Sequence, residues 1–229
     1  MARQERLHRP ALIPNSLWRR RAFTSICINV FLIWGSFSAW DQITNIYFQN
    51  VQQVGALGSA VRFLPDTVSG IITNVLVALL VHRVRANWIV IFSTILTVAA
   101  PLLMAIAQPE WTYWAVEFPA VFLVAIAADG IFTVSNLLIS SSFPAETQRL
   151  AGGVFQTIAK ISRTVSLALV TLIANNLSLA ADADYRHSPQ GLLLGYRAAF
   201  WLCFGMVVTS LLVSIWGLRK IGKVGLKQE

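Results

Sequence analysis

Long apolar runs alternate with short polar connections along almost the whole chain. An apolar run of about 20 residues is long enough to cross a bilayer as a helix. Six such runs predict membrane-spanning helices near residues 22–48, 55–81, 88–107, 112–141, 149–177 and 194–218. Because the connections are short, we expect consecutive helices to be antiparallel neighbours. The pattern predicts an all-α, polytopic membrane protein.

Polar residues recur at helical spacing within four of these six spans. Residues three, four or seven apart share one side of a helix. The stripes are Trp34, Phe37, Ser38, Asp41, Asn45 and Phe48 in the first span; Gly55, Gly58, Arg62, Asp66, Ser69 and Thr73 in the second; Asp129, Thr133, Asn136 and Ser140 in the fourth; and Arg149, Gly152, Gln156, Lys160 and Arg163 in the fifth. The third and sixth spans are mainly apolar.

The order polar, polar, apolar thus occurs twice, which predicts two three-helix repeats around a polar cavity. Close helix–helix packing is an alternative role for such stripes, and it explains small residues such as Gly55 and Ser69 well. It explains Asp66 and Lys160 poorly, because ionised groups inside a membrane need partners or water.

The charged residues inside the spans raise the question of which groups pair. At a rise of about 1.5 Å per residue, two opposite-charge pairs lie at matched depth. The predicted structural ion pairs are Asp41 with Arg62, and Asp129 with Lys160. Asp66 is a rival partner for Arg62, because it lies one turn away on the same helix. Arg163 has no acidic partner by this count, so Asp66 and Arg163 are the candidates for a substrate-linked or proton-linked role.

Composition supports the membrane interpretation. Of 229 residues, 56% are hydrophobic and only 12% are charged, whereas soluble domains carry about 25% charged residues. The net charge of +8 does not indicate nucleic-acid binding, because the cations cluster at the termini and in short loops. With the N-terminus inside, thirteen Lys and Arg residues fall on the inner side and two, Arg186 and Arg197, on the outer side.

This asymmetry predicts that both termini are cytoplasmic, and we expect the plasma membrane as the location. The expected organisation is a basic cytoplasmic segment over 1–21, a six-helix transmembrane domain over 22–218 and a basic cytoplasmic tail over 219–229.

Residues typical of enzymes and metal sites are sparse and scattered. Cys27 and Cys203 lie inside apolar runs, where a cysteine is most simply a small buried hydrophobe. His8, His82 and His187 are far apart in sequence. The chain also lacks a visible nucleophile–base constellation. We therefore expect no enzymatic activity, no metal and no cofactor.

Several stretches resemble a known transporter family. They are IPNSLWRRRAFTSICINVFLIWGSF at 13–37, LLVHRVRANW at 79–88, LAGGVFQTIAKI at 150–161, GYRAAFWLCF at 195–204, and the closing GLRKIGKVG. Over nearly its whole length the chain resembles the C-terminal half, spans seven to twelve, of a fungal major facilitator superfamily transporter of the multidrug or toxin efflux type. The superfamily loop pattern Gly-x-x-x-Asp-Arg-x-Gly-Arg keeps only Arg83 over 78–86, with His82 at its acidic position and Arg85 at its second glycine.

The resemblance implies half of a major-facilitator fold and transport of small organic compounds, exported in exchange for protons. The residues expected to line the path are Trp34, Phe37, Asp41, Asn45, Arg62, Asp66, Asp129, Asn136, Gln156 and Arg163. The alternative is a truncated half-transporter that acts as a non-transporting interaction or regulatory partner. Besides the lipid bilayer, the expected partners are a small-molecule substrate, protons, and an N-terminal half, a full-length relative or a second copy of the chain.

Overall fold

Every element is an α-helix in the residues that the computed structural model describes, which are 21–81, 83–142, 145–180 and 189–217. The helices are α1 (Arg21–Asn50), α2 (Ala56–Arg62), α3 (Leu64–Leu80), α4 (Ala86–Ile106), α5 (Glu117–Ser142), α6 (Ala145–Ala180) and α7 (Pro189–Gly217). The two predicted basic segments, 1–21 and 219–229, lie outside the described residues except for Arg21, the first residue of α1.

The six predicted spans are confirmed as helices long and apolar enough to cross a membrane. They cover Phe23–Asn50, Ala56–Leu80, Ala86–Ile106, Glu117–Leu137, Gln148–Leu177 and Gly191–Gly217. The second is divided at Phe63 into α2 and α3, and Pro65 occupies the first turn of α3. Proline is tolerated there because the first N–H groups of a helix have no partner within that helix. The fourth span begins at Glu117, five residues later than predicted.

Helix packing follows the two predicted repeats, one formed by α1 to α4 and the other by α5 to α7. The first helix of each repeat packs on the second and third spans of the other: α1 contacts α6 and α7, and α5 contacts α3 and α4. The two first helices also touch each other, as do the two last helices, α4 and α7. Each repeat thus packs reciprocally on the other.

Consecutive helices are not always neighbours, contrary to the expectation from short connections. Residues 81–85 are all that join α3 to α4, yet α3 packs mainly on α5 and has only sparse contact with α4. The equivalent pair in the second repeat, α6 and α7, packs directly. An open groove consequently separates α3 from α4.

Small and hydroxylated residues bring α1 close to its neighbours. A Cβ at Gly35 would collide with the hydroxyls of Ser162 and Ser166 on α6, and the Ser162 hydroxyl donates a hydrogen bond to the Phe31 carbonyl. The glycine therefore provides the space that the two serines fill. Close approach through small residues is a common way for membrane helices to associate.

A polar contact also enters the backbone ladder of α5. The Thr97 hydroxyl of α4 donates to the Leu123 carbonyl at 2.8 Å and accepts from the Ala127 N–H at 3.0 Å. These two backbone groups are four residues apart and ordinarily bond each other. An inserted side chain of this kind is a recognised cause of helix bending. The contact fixes α5 against α4 just before Asp129.

Candidate functional site

Three carboxylates and one guanidinium interact electrostatically on the polar side of the bundle. Asp41 of α1 interacts electrostatically with Arg163 of α6. Asp66 of α3 interacts with both Asp41 and Asp129, the latter from α5. We call these four residues the carboxylate cluster. Four helices contribute to it, two from each repeat, as the predicted shared cavity requires.

The carboxylate cluster lies near the middle of the membrane. Asp41 is nine residues before the end of α1, and Asp129 is twelve residues after the start of α5. At about 1.5 Å per residue these positions are roughly 14–18 Å from those helix ends. A hydrocarbon core is about 30 Å thick, so both lie close to its centre. Charged groups at this depth need partners or water.

Asp129 lies against a glycine of α3. A Cβ placed at Gly70 would be 2.6 Å from Asp129 Oδ2, so any larger residue would displace the carboxylate. The side chain of Asn74, one turn further along α3, also interacts with Asp129. Asn74 in turn donates to the Gly70 carbonyl at 2.9 Å and accepts from the Thr133 hydroxyl at 2.6 Å. These contacts join α3 to α5 and hold the Asp129 carboxylate in position.

Asp66 differs from the other two carboxylates in its surroundings. Its buried Oδ1 has no hydrogen-bond partner among the described residues. The charged groups that act on it are Asp41 and Asp129, both of like charge. A buried acceptor without a donor is costly. Of the three carboxylates, Asp66 is the one whose charge is least compensated.

Arg163 and Lys160 are one turn apart on α6, and they differ in their relation to the carboxylates of the cluster. Both side chains are exposed, as is Gln156 one turn earlier. Arg163 acts on Asp41, an acidic partner that depth counting did not find. Asp129 and Lys160 form no ion pair in the part of the chain that the structure describes, so this predicted pair is wrong. Matched depth was insufficient: Lys160 is exposed on α6, whereas Asp129 lies against Gly70 and Asn74 of α3.

Arg62 belongs to a separate group of residues at the end of the bundle where α1 finishes and α5 begins. Its guanidinium lies 3.6 Å from the carboxylate of Glu117 and donates to the side chain of Gln52, which itself donates to Glu117. The rings of Phe48 and Tyr113 flank it, each with its centroid at 5.1 Å. We call these five residues the Arg62 network. The predicted Asp41–Arg62 pair is therefore wrong, and so is the rival pairing of Arg62 with Asp66.

The Arg62 network connects α1, α2, α5 and the loops between them. Tyr113, in the loop before α5, donates from its hydroxyl to the Arg62 carbonyl at 2.7 Å. Burial raises the pKa of Tyr113, and the nearby Arg62 partly opposes this. The phenol accordingly remains protonated, and able to donate, throughout the neutral pH range.

Glu117 is the residue of this network that sequence reasoning missed. Its side chain is 3% exposed, although it is a carboxylate at the first turn of α5. The available signal was an acidic residue inside the predicted span 112–141, outside the polar stripe that begins at Asp129. A charge within a span is informative even when it lies off the stripe.

The remaining predicted path residues have mainly packing roles. Trp34 packs at 5.3 Å from the Phe132 ring and at 5.9 Å from that of Phe37. The Asn45 amide oxygen accepts from Ser59 at 3.0 Å, which joins α1 to α2. Asn136 donates back to the Phe132 carbonyl of its own helix. None of these contacts reaches the carboxylate cluster, so their part in a path stays a prediction.

Comparison with known proteins identifies the family. The sequence profile described as the Major Facilitator Superfamily matches residues 2–167. Among curated proteins, MFS-type transporter 1 of Pyricularia oryzae is 37% identical over 98% of this chain and 40% of its own length. The aminotriazole resistance protein of Saccharomyces cerevisiae is 24% identical over 91% of the chain and 37% of its own length.

A third relative is named as an efflux pump. Efflux pump terJ of Aspergillus terreus is 22% identical over 80% of this chain and 34% of its own length. The chain thus spans about 40% or less of the length of these curated relatives.

Proposed function

The chain belongs to the major facilitator superfamily, and on that premise we propose that it forms one six-helix half of a transporter. The proposed transporter moves small organic compounds across a membrane by proton-coupled efflux, in the orientation with both termini cytoplasmic. The names of the relatives support export, since they include an efflux pump and a protein named for resistance to a small organic compound.

The carboxylate cluster is the observation that carries the proposal. Three carboxylates and one guanidinium come from four helices and interact electrostatically near the middle of the membrane. Intramembrane ionisable residues typically mark substrate pathways and proton relays. Binding of a proton or of a cationic substrate would offset the excess of negative charge. The cluster therefore suits the exchange of one cation for another at a shared site.

Within the carboxylate cluster we assign the proton-linked role to Asp66 and the switching role to Arg163. Asp66 faces two like charges and has a buried oxygen without a partner, so protonation would relieve its repulsion with Asp41 and Asp129. Arg163 is the cation paired electrostatically with Asp41. Movement of α6 relative to α1 would change that interaction and thereby alter the charge that Asp66 experiences.

Resistance of cells to toxic compounds tests this function. The full chain would be expressed in yeast lacking its own efflux pumps, and growth measured on a panel of organic cations and neutral toxicants. Asp66→Asn and Arg163→Gln should each remove the resistance while membrane abundance stays unchanged. Lys160→Gln is the matched control, because Lys160 is an exposed cation of α6 without an ion-pair partner in the described part of the chain. Equal loss of resistance and of abundance would refute the assigned roles.

A second candidate function rests on the exposed polar face of α6. Gln156, Lys160 and Arg163 are all exposed in a helix that otherwise has the composition of a span. Polar side chains at this depth do not face lipid, so another protein surface would cover them. The chain would then bind six further helices, from a larger relative or a second copy, and serve as a regulatory partner without transporting anything.

Co-purification separates the two functions. Transport by the chain in the resistance assay supports the first. Absence of resistance, combined with retention of a larger superfamily member that Gln156→Leu or Lys160→Leu reduces, supports the second.

A further inference from the structure

An apolar groove lies between α3 and α4, on the opposite side of α3 from its exposed Ile71 and Val75. Its volume is about 480 Å³, and it is lined by Ile72, Leu76 and Leu80 of α3, Trp88 and Phe92 of α4, and Ile126 of α5, among others. The rings of Trp88 and Phe92 are exposed along it. The groove exists because α3 and α4 barely touch, whereas the equivalent α6 and α7 pack directly.

The serine hydroxyls of the groove are already satisfied. Ser69 donates to the Asp66 carbonyl and Ser93 to the Val90 carbonyl, each at 3.0 Å. Such bonds to the preceding turn of the same helix consume the hydroxyl donor. The groove therefore presents an apolar surface to its occupant, as hydrocarbon requires.

The groove has the length of one membrane leaflet. Along α3 its lining extends from Ser69 to Leu80, which is about 16 Å at the rise of an α-helix. One leaflet contributes half of the hydrocarbon core, or about 15 Å. The acyl chains of a lipid fill one leaflet of that core, so a single acyl chain matches the groove in length.

Positive charge lies at the mouth of the groove. Arg83 and Arg85 belong to the turn between α3 and α4, next to the lining residues Leu80, Val84 and Trp88. Both arginine side chains are exposed. Neither guanidinium has an ion-pair or hydrogen-bond partner among the described residues. Basic groups beside a span on the cytoplasmic side attract anionic lipid headgroups.

We propose that this groove binds one phospholipid with an anionic headgroup from the cytoplasmic leaflet. Its phosphate lies against Arg83 and Arg85, and one acyl chain follows the groove between α3 and α4. Trp88 lies beside the mouth, where an aromatic ring is suited to the boundary between headgroups and hydrocarbon. The lipid provides α3 with the packing surface that α4 does not provide. Asp66 belongs to this same helix.

Native mass spectrometry of the full chain tests this proposal. The purified protein would be offered phosphatidylglycerol and phosphatidylcholine with identical acyl chains, and the retained lipid counted. We expect one phosphatidylglycerol to be retained in preference to phosphatidylcholine. Arg83→Gln and Arg85→Gln should each reduce this retention about fivefold, the effect of one basic group at an anionic surface. Arg149→Gln, which removes an exposed cation of α6 away from the groove, should leave it unchanged.

A second pair of variants tests whether an acyl chain occupies the groove. Leu76→Trp fills the groove and should reduce retention of both lipids, while Val75→Trp places the same indole ring on the other side of α3 and should not. The two residues are matched in exposure, at 50% for Leu76 and 54% for Val75.

Three results would overturn the proposal. The first is equal retention of the two lipids, and the second is an equal effect of Arg149→Gln and Arg85→Gln. The third is a dimer that Leu76→Trp dissociates, which would make the groove an interface between copies.

Discussion

Replacing Glu117 by glutamine should destabilise the end of the bundle that holds the Arg62 network, because it leaves Arg62 without its anion. The substitution keeps the size of the side chain and removes only the charge 3.6 Å from the guanidinium. Breaking a fully buried ion pair costs about 3–5 kcal/mol. Arg62 remains 27% exposed and keeps its contacts with Gln52, Phe48 and Tyr113. We therefore expect a loss of about 2–3 kcal/mol in the free energy of unfolding.

Thermal unfolding of the purified chain in detergent measures this loss. For a protein of this length, 1 kcal/mol corresponds to about 2–4 °C in Tm, so Glu117→Gln should lower Tm by about 5–10 °C. Glu110→Gln is the matched control, because Glu110 is an exposed carboxylate in the loop before α5. A surface change of this kind should stay within about 0.5 kcal/mol.

A double-mutant cycle distinguishes the ion pair from general disruption. If Arg62 is destabilised by losing its anion, then Arg62→Gln combined with Glu117→Gln should cost less than the sum of the single changes. The coupling should be about 1–3 kcal/mol. Additive losses, or equal effects of the variants at Glu117 and Glu110, would refute the account of the Arg62 network.

Two glycine substitutions test the positioning of the helices. Gly70→Ala should reduce transport more than tenfold, because its Cβ would displace the Asp129 carboxylate; Gly152→Ala, which meets nothing within 4 Å, should leave the measured flux unchanged. Gly35→Ala should lower the free energy of unfolding by about 1–3 kcal/mol, through overpacking against α6. Gly205→Ala has open space around it and should be neutral or slightly stabilising by thermal denaturation.

The six spans were predictable because membrane helices show two strong signals, an apolar length and a polar stripe. Both persist in the structure, and the break in the second span falls beside Pro65, a signal that was present in the sequence. The order of polar and apolar spans predicts the two repeats but not how their helices pack on one another. Hydropathy and periodicity thus determine which helices form and which carry the polar sides.

The partners of the charged residues were not predictable from the same signals. The depth of a residue in the membrane follows from counting residues along its helix, but the rotation of that helix about its axis depends on packing. Lys160 shares the depth of Asp129 but forms no ion pair with it among the described residues, while Arg163 lies within electrostatic range of Asp41 on the other repeat. Arg62 ends α2 and turns towards Glu117 at the start of α5. The contact between Gly35 and the two serines illustrates the packing that sets such rotations.

Flux driven by a pH gradient tests the central claim most directly, namely that Asp66 links proton movement to transport. The full chain would be reconstituted in vesicles loaded with a fluorescent organic cation, and dye efflux recorded with and without a pH gradient. We predict that the gradient accelerates efflux through the unmodified protein and through Glu110→Gln. Asp66→Asn should show no response to the gradient. A response of Asp66→Asn equal to that of the unmodified protein would contradict the account.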